Sequence, residues 1–479
     1  MQYLHWGHRL LTEPARPAWV RKRPDAHWLA VYTVCVGAFM GQLDASIVTV
    51  AFPTLQHDFG APMGEVEWVA LSYLLVLVAA VAAVGKFSDM VGRKLLYTYG
   101  FALFALASVA CGFAPTLLAL IFFRAIQGFG AVMLQANSVA LIATSIPKEN
   151  LGRGIGIQGA FQALGLALGP AVGGFLIALG GWRLIFFVNL PAGILGCIAG
   201  WYLLPRSRYL AKRAPFDWLG LALFAPAAVA LFGALSRARE VGFGSPLVLS
   251  MFAIATIFLG VFLLREKHAH SPMVDLNLFR SAPFSAGIAS GLLSYAVLFG
   301  ILFVVPFLTE RGFGLSTGMS GLVLTVLPAA LGVTAPFAGR MADRIGARPL
   351  TVAGMIITGT GLLIAALFHG SIGVLAAELA LMGLGLGLFT PPNNAAIMAS
   401  APQTQSGSAG GLLNMTRSIG TALGVALAAL VYGFASASES DAGVRIMTEH
   451  GFAMTAILLA AMAFLAAGFA AIRGGRLPS

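Results

Sequence analysis

The sequence predicts an all-α integral membrane protein with fourteen transmembrane helices, arranged as two six-helix bundles plus two extra central helices. Composition, the number of apolar runs and an internal repeat predict it. Of the 479 residues, 58% are hydrophobic and only 10% charged, and mean hydropathy is +0.88. A soluble domain carries about 25% charged residues, so a lipid bilayer has to cover the apolar surface. A helical span needs about 20 mostly apolar residues. Fourteen runs qualify: 28–52, 66–84, 95–113, 116–143, 154–178, 183–204, 216–235, 246–264, 284–308, 318–338, 349–368, 371–395, 407–435 and 451–471.

Charge tests the count. The chain has net charge +11, but the basic residues sit in short loops, so orientation in a membrane explains them and nucleic acid is not an expected partner. With the N-terminus inside, Arg183, Arg237, Arg239, Arg311 and Arg445 fall outside and Arg124 and Arg417 fall within spans, which leaves 22 of the 29 Lys and Arg inside. That bias places both termini in the cytoplasm and the chain in a plasma (inner) membrane. Cys35, Cys111 and Cys197 each lie in an apolar span without metal-ligand spacing, and no disulfide framework is indicated.

The repeat fixes the domain plan. Gly85, Asp89, Gly92 and Lys94 recur as Gly339, Asp343, Gly346 and Arg348 at an offset of 254. Gly128 and Gly130 recur as Gly383 and Gly385, and Gly165 and Gly169 as Gly420 and Gly424, at 255. The offset covers eight spans, so an extra pair separates two six-helix halves. The expected layout is a basic N-tail (1–27), a first bundle (28–204), two inserted helices with a linker (205–283), a second bundle (284–471) and a C-tail (472–479). Parallel halves related by an axis along the membrane normal are an alternating-access architecture of secondary carriers.

Taken in order, the chain places its polar chemistry sparsely. The N-tail is basic and lacks the apolar core of a cleaved signal peptide. In span 1, Asp44 is the only charged residue between His27 and His57. A carboxylate at a helix centre in lipid costs roughly 2.5–3.5 kcal/mol on the mildest scale, so such an acid is a candidate proton or cation site; a structural hydrogen bond to a neighbouring helix is the alternative. The repeat sets Leu298 opposite it, so the site is one-sided. After span 2, Gly85, Asp89, Gly92, Arg93 and Lys94, matched by Asp343 and Arg344 in the second half, form a candidate cytoplasmic gate, with plain positive-inside topology as the bland reading. Span 4 carries Arg124, a buried guanidinium that needs a partner or a wet cavity; Asp44 is the candidate partner, and their approach and separation would couple movement to protonation. In span 5, Gly165, Gly169 and Gly173 line one helix face for close packing, and together with Pro170 and Gly174 they make a candidate hinge at the interface of the halves, the Gly169-Pro170 step being its bend.

Trp182 and Arg183 read as interfacial anchors, and Asn189 as a bond across helices without chemistry. Spans 7 and 8 have no repeat partner and are expected to pack peripherally. Glu378 in span 12 is a second candidate protonatable group, or merely reaches outer-face water. Pro391 and Pro392 are expected to interrupt span 12. Arg417 in span 13 faces the central cavity or snorkels to the inner interface. Together with Gln42, Gln127, Asn137, Gln162, Asn393 and Asn414 it makes the candidate substrate cavity. No nucleotide-binding loop, His-Glu-His metal site or nucleophile elbow occurs, so an ATP-driven pump or a membrane enzyme is not indicated.

These stretches resemble the major facilitator superfamily, and within it the fourteen-helix drug:proton antiporters. The residues that carry the resemblance are Leu43-Asp44 through Ala51-Phe52-Pro53, the Gly85…Asp89…Gly92-Arg93-Lys94 loop, Arg124, Gln127, Gly128 and Gly130, and the Gly165…Gly169-Pro170…Gly173-Gly174 run. Ser46 and Thr49 depart from a Thr and Asn preference, and Met90 from a basic residue. The resemblance implies antiport rather than uptake, proton coupling through Asp44 and Arg124, and a gate role for Asp89. The expected function is proton-coupled export of hydrophobic, cationic small molecules, with no cofactor but the proton gradient. A periplasmic adaptor is an expected partner only in a host with two membranes. Export of one dedicated metabolite, or a non-transporting membrane sensor, are the alternatives.

Overall fold

The computed structural model describes residues 13–147, 151–207, 218–269, 274, 276–368, 370–401, 406–437 and 444–472; a few side chains within these ranges, among them those of Lys86, Asp89 and Asp343, also lie outside that description. Among the described residues, 14 helices are long and apolar enough to cross a membrane. They are α1 (Ala26–Ile47), α2 (Trp68–Val91), α3 (Arg93–Gly112), α4 (Leu117–Ser145), α5 (Leu151–Gly180), α6 (Asn189–Leu203) and α7 (Trp218–Val241). The remainder are α8 (Pro246–Glu266), α9 (Ala282–Phe307), α10 (Thr317–Ile345), α11 (Ala347–Leu367), α12 (Ile372–Ala399), α13 (Ser406–Ala437) and α14 (Val444–Ile472). This is a multi-pass membrane protein.

Two boundaries differ from expectation. The first span does not stop at Phe52: α1 tightens into a 3₁₀ turn at Val48–Ala51 and continues as a helix over Phe52–Phe59. Pro53 has no N–H for the Thr49 carbonyl, and the Thr49 hydroxyl donates to Ser46 O at 2.6 Å, so the ladder narrows there without breaking. The second difference is in α12, which passes through Pro391 and Pro392 uninterrupted. Helix packing on both sides tolerates the missing donors.

The repeat seen in the sequence is a repeat of helix contacts. A Cβ at Gly128 would lie 2.9 Å from Tyr73 O and 3.0 Å from Val76 Cβ; at Gly383, 2.8 Å from Ala330 Cβ, with Leu327 O closer still. Those partners are themselves 254 apart. Likewise Gly130 abuts Phe104, and Gly385 abuts Thr358. Gly92 and Gly346 separate consecutive helices at φ +116 and +86, a left-handed region open to glycine at little cost. The same helix pairs thus approach at the same small residues in both halves, where dispersion contacts rather than hydrophobicity hold helices together in lipid.

The inserted pair is not uniformly peripheral. α8 has only 17% of its span buried, and Phe224 and Gly233 on α7 meet its Phe262 and Met251. α7 is a correction: it lies between the bundles. Trp68 of α2 donates its indole N–H to Ser236 Oγ at 3.1 Å, Ser236 donates to Gly64 O at 2.7 Å, and Phe243, just past the end of α7, stacks on Phe434 of α13 at 5.9 Å. The halves also meet at the helix ends opposite those that carry the termini. There Gly174 of α5 packs on Thr317 and Gly318 of α10, Phe52 on Phe303 at 5.0 Å, and Arg311 donates to Gln56 at 2.7 Å.

A side chain at Gly385 would stand 2.5 Å from Gly354 O and 2.8 Å from Thr358 N. Gly385→Leu is therefore expected to destabilise the second bundle by about 1–3 kcal/mol, read as a lowered melting temperature of the purified chain in detergent, whereas a leucine at Gly468, which meets nothing within 4 Å, should leave it unchanged.

Candidate functional site

Asp44 sits on α1 with no solvent exposure, and Arg124 of α4 meets it. Arg124 Nη1 donates to Asp44 Oδ2 at 2.6 Å and to Gln127 Oε1 at 2.7 Å, and Nε donates to Val69 O of α2 at 2.9 Å. The guanidinium lies 4.4 Å from the Tyr73 ring centre, a cation–π distance. The other carboxylate oxygen, Oδ1, accepts from Gln127 Nε2 at 2.9 Å and from Asn189 Nδ2 at 3.0 Å. Both amides also donate to Ser108 Oγ of α3, at 3.2 and 3.0 Å, and Ser108 donates to Phe186 O at 2.8 Å. One carboxylate thus ties together α1, α2, α3, α4 and α6. A buried ion pair is tolerable when further hydrogen bonds satisfy its remaining lone pairs, and they do so here.

The helix that carries Asp44 is clasped by α5. A Cβ at Gly165 would lie 2.5 Å from Phe39 O and 3.1 Å from Leu43 N; at Gly173, 2.8 Å from Ile47 Cγ1; at Gly169 it would overlap the Ser46 hydroxyl. The three glycines fix residues 39–47 of α1 and hence the carboxylate. Pro170 and Gly174 face α10 instead: Gly321 packs on Pro170 O, and Gly174 on Thr317 O. α5 itself is one continuous helix through Pro170.

A cavity opens between the halves beside this cluster. Its wall includes Gln42, Gln162 and Arg417 from the expected set, with Gln135, Ser138 and Thr421. The remaining expected members do not line it. Gln127 is buried, and both its amide atoms are used within the Asp44 cluster. Asn393 is buried and joins α12 to α9, accepting from Ser290 at 3.2 Å and donating to Gly287 O at 3.2 Å. Asn137 donates to Met133 O of its own helix at 2.9 Å, and the Asn414 backbone carbonyl accepts from Ser418 Oγ at 3.1 Å. Glu378 is 4% exposed on α12 and stays outside the Asp44 cluster; neither carboxyl oxygen has a hydrogen-bond partner among the described residues.

The candidate gate residues divide. Gly85 lies inside α2, where a Cβ would stand 4.0 Å from Ala136 Cβ of α4, and Arg344 is exposed. The Asp89 and Asp343 side chains lie outside the described residues. Arg93 and Lys94 open α3, whose N-cap position is Gly92, a residue with no side chain to satisfy the first amides. Glu13 of the N-terminal segment supplies the missing acceptor: Lys94 N donates to Oε1 at 3.0 Å, and Ser207, beyond α6, donates its N–H to Oε2 at 2.6 Å and its hydroxyl to Oε1 at 3.0 Å. Lys94 is 1% exposed and its Nζ donates to Pro14 O at 2.9 Å, so it binds its own half's N-terminal segment. A Cβ at Gly92 would overlap the Glu13 carboxylate. Sequence reasoning missed Glu13 and Ser108; it read the bond of Asn189 across helices, which the structure shows, but not its partner Asp44. A polar residue facing an apolar span was the available signal for Ser108 and Asn189; Glu13 gave none, because its contact spans 81 residues.

A family model of the Major Facilitator Superfamily matches residues 34–294 and 287–477. The chain belongs to the major facilitator superfamily. Family members are transporters rather than enzymes. The chain is 34% identical over 401 residues to the riboflavin transporter RibZ of Clostridioides difficile, covering 83% of this chain and 87% of that one. It is 33% identical to the tetracenomycin C resistance and export protein of Streptomyces glaucescens, covering 85% and 76%. Among solved structures, a bacterial homologue of the lysosomal transporter Spinster, in an inward-facing and unoccupied conformation, superposes with a TM-score of 0.69 at 16% identity, covering 94% of this chain and 97% of that one, a likeness of fold.

Two outcomes check the geometry. Asn189→Ala should destabilise the chain by about 1–2 kcal/mol, and Asn189→Asp, which sets a second carboxylate against Asp44, should cost more. Glu13→Ala should lower the melting temperature by the equivalent of about 1 kcal/mol through loss of the cap on α3.

Proposed function

We propose that this protein is a proton-coupled antiporter that exports small apolar molecules by alternating access, in a plasma membrane with both chain ends in the cytoplasm. The observation that carries the reading is the buried Asp44–Arg124 pair standing directly behind the cavity wall: Gln42 and Ala45, its helix neighbours, line the cavity, while the carboxylate itself is turned into the first bundle. Pulling such a pair apart while both members are charged costs about 3–5 kcal/mol. A proton on Asp44 removes one of the two charges. Arg124 then keeps Val69 O, Gln127 Oε1 and the Tyr73 ring, so it stays satisfied while α1 is released from α4. Uptake of H⁺ from one side and its loss to the other would thereby bias the two arrangements of the bundle.

Relatives named for resistance and export, the tetracenomycin C protein and the multidrug resistance protein Stp of Mycobacterium tuberculosis (32% identical), favour export of drug-like molecules. The contacts of Gly174, Gly321 and Phe52 with their opposing helices support a closed outer face in this arrangement. A second reading, transport of one dedicated vitamin-like molecule, is favoured by the likeness to the riboflavin transporter.

The test is exchange in inverted membrane vesicles. Adding an exported compound should release protons from vesicles energised by respiration, and Asp44→Asn should abolish that release with unchanged expression. An Asp44→Asn chain that still concentrates compound on a pH gradient alone sinks the coupling. A panel of compounds in the same assay separates broad export from a single substrate.

A further inference from the structure

The cavity was expected to favour cations, because a buried acid lay nearby in the sequence. Its wall has the opposite sign. Among the described residues no aspartate or glutamate lines it, whereas Arg417 of α13 does. Asp44 offers nothing to a ligand: it has no exposed surface, and both oxygens are taken by Arg124, Gln127 and Asn189. Arg124 is in turn neutralised by Asp44. Arg417 has no such compensation. Its Nη2 is buried, and it makes no hydrogen bond or ion pair among the described residues. Arg417 is half-buried, and a guanidinium with one nitrogen sealed from water and unpaired favours an anion in its plane, ideally two oxygens at once. The amides of Gln42, Gln135 and Gln162 add donors on the facing bundle, while Leu77, Leu134 and Phe299 supply an apolar wall.

We propose that Arg417 is the specificity-determining residue of this cavity, and that the transported molecule has an apolar body and an anionic group, a carboxylate or sulfonate, that pairs with it. The site rests on the transporter reading only for the direction of movement. Because Arg417 sits on the second bundle and the proton site on the first, ligand and H⁺ do not compete for one carboxylate. They act on opposite walls, and the ligand's charge draws the second bundle toward the amides of the first.

The test reads the sign of the cavity without requiring transport. Thr421, one turn beyond Arg417 on α13, also lines the cavity. Thr421→Cys is made in a chain whose three native cysteines are replaced by alanine. It is labelled with 2-sulfonatoethyl and 2-(trimethylammonio)ethyl methanethiosulfonate, each rate being normalised to that of the same reagent with 2-mercaptoethanol. The anionic reagent should be favoured. Arg417→Gln should lower the anion-to-cation ratio about tenfold, the effect of one unit charge about 5 Å away under water-like screening, and Arg417→Lys should retain it. 1-Naphthalenesulfonate should slow labelling, and a quaternary ammonium of the same naphthyl body should not. A ratio favouring the cation, a ratio indifferent to Arg417→Gln, or a thiol that neither reagent reaches overturns the site, and protection by the ammonium or by neither compound overturns the ligand class. The normalised ratio with Arg417 intact decides the sign even if Arg417→Gln does not fold. Failure of proton coupling would leave these labelling ratios untouched.

Discussion

The first bundle is organised by one charge pair. Asp44 and Arg124 are both sealed from solvent, and each is worth keeping there only because the other is present. Around them Gln127, Asn189 and Ser108 take up the leftover hydrogen-bonding capacity, so the cluster acts as a rigid polar knot among five helices. The glycines of α5 serve the same end from the lipid-packing side. By letting α5 lie directly against residues 39–47, they stop α1 from rotating the carboxylate away from its partners.

The second bundle repeats the fold and omits the chemistry. At the repeat offsets, Asp44 corresponds to Leu298, Tyr73 to Leu327, Ser108 to Leu362, Arg124 to Leu379 and Gln127 to Met382. All five of these counterparts are buried apolar residues. The glycine contacts that set helix spacing survive in both halves, because spacing is a property of the backbone and of what can approach it. The polar knot survives in one, because an ion pair deleted whole and replaced by well-packed leucine need not cost stability. The cavity wall draws on both halves, with Gln42, Gln135 and Gln162 from the first and Phe299, Arg417 and Thr421 from the second, so the asymmetry lies in the knot and not in the cavity.

The fold was legible because a bilayer leaves few options: composition, fourteen apolar runs and a constant offset between glycines determined the helices and their pairing. The Asp44–Arg124 pair was legible for a related reason, since two opposite charges in apolar spans have to find each other. What resisted reading was orientation about each helix axis. Gln127 and Asn393 look like cavity residues on a linear chain, yet a turn of about 100° per residue places them against neighbouring helices instead. Arg417 was named as a cavity residue, but the sign of the cavity was not, because Asp44 is cancelled only by contacts between helices far apart in sequence. Glu13 was invisible for the same reason: its use depends on a helix that begins after a glycine and has no cap of its own.

The inserted helices carry a consequence of their own. α7 is held by hydrogen bonds and stacking to both bundles, whereas α8 presents Leu249, Ile257, Leu264 and similar side chains outward over most of its length. Lipid tails, not protein, are the main neighbours of α8, so bilayer thickness and acyl-chain order press on it first. Through its packing on α7, which touches both bundles, a change in the surrounding membrane has a mechanical route to the seam between them.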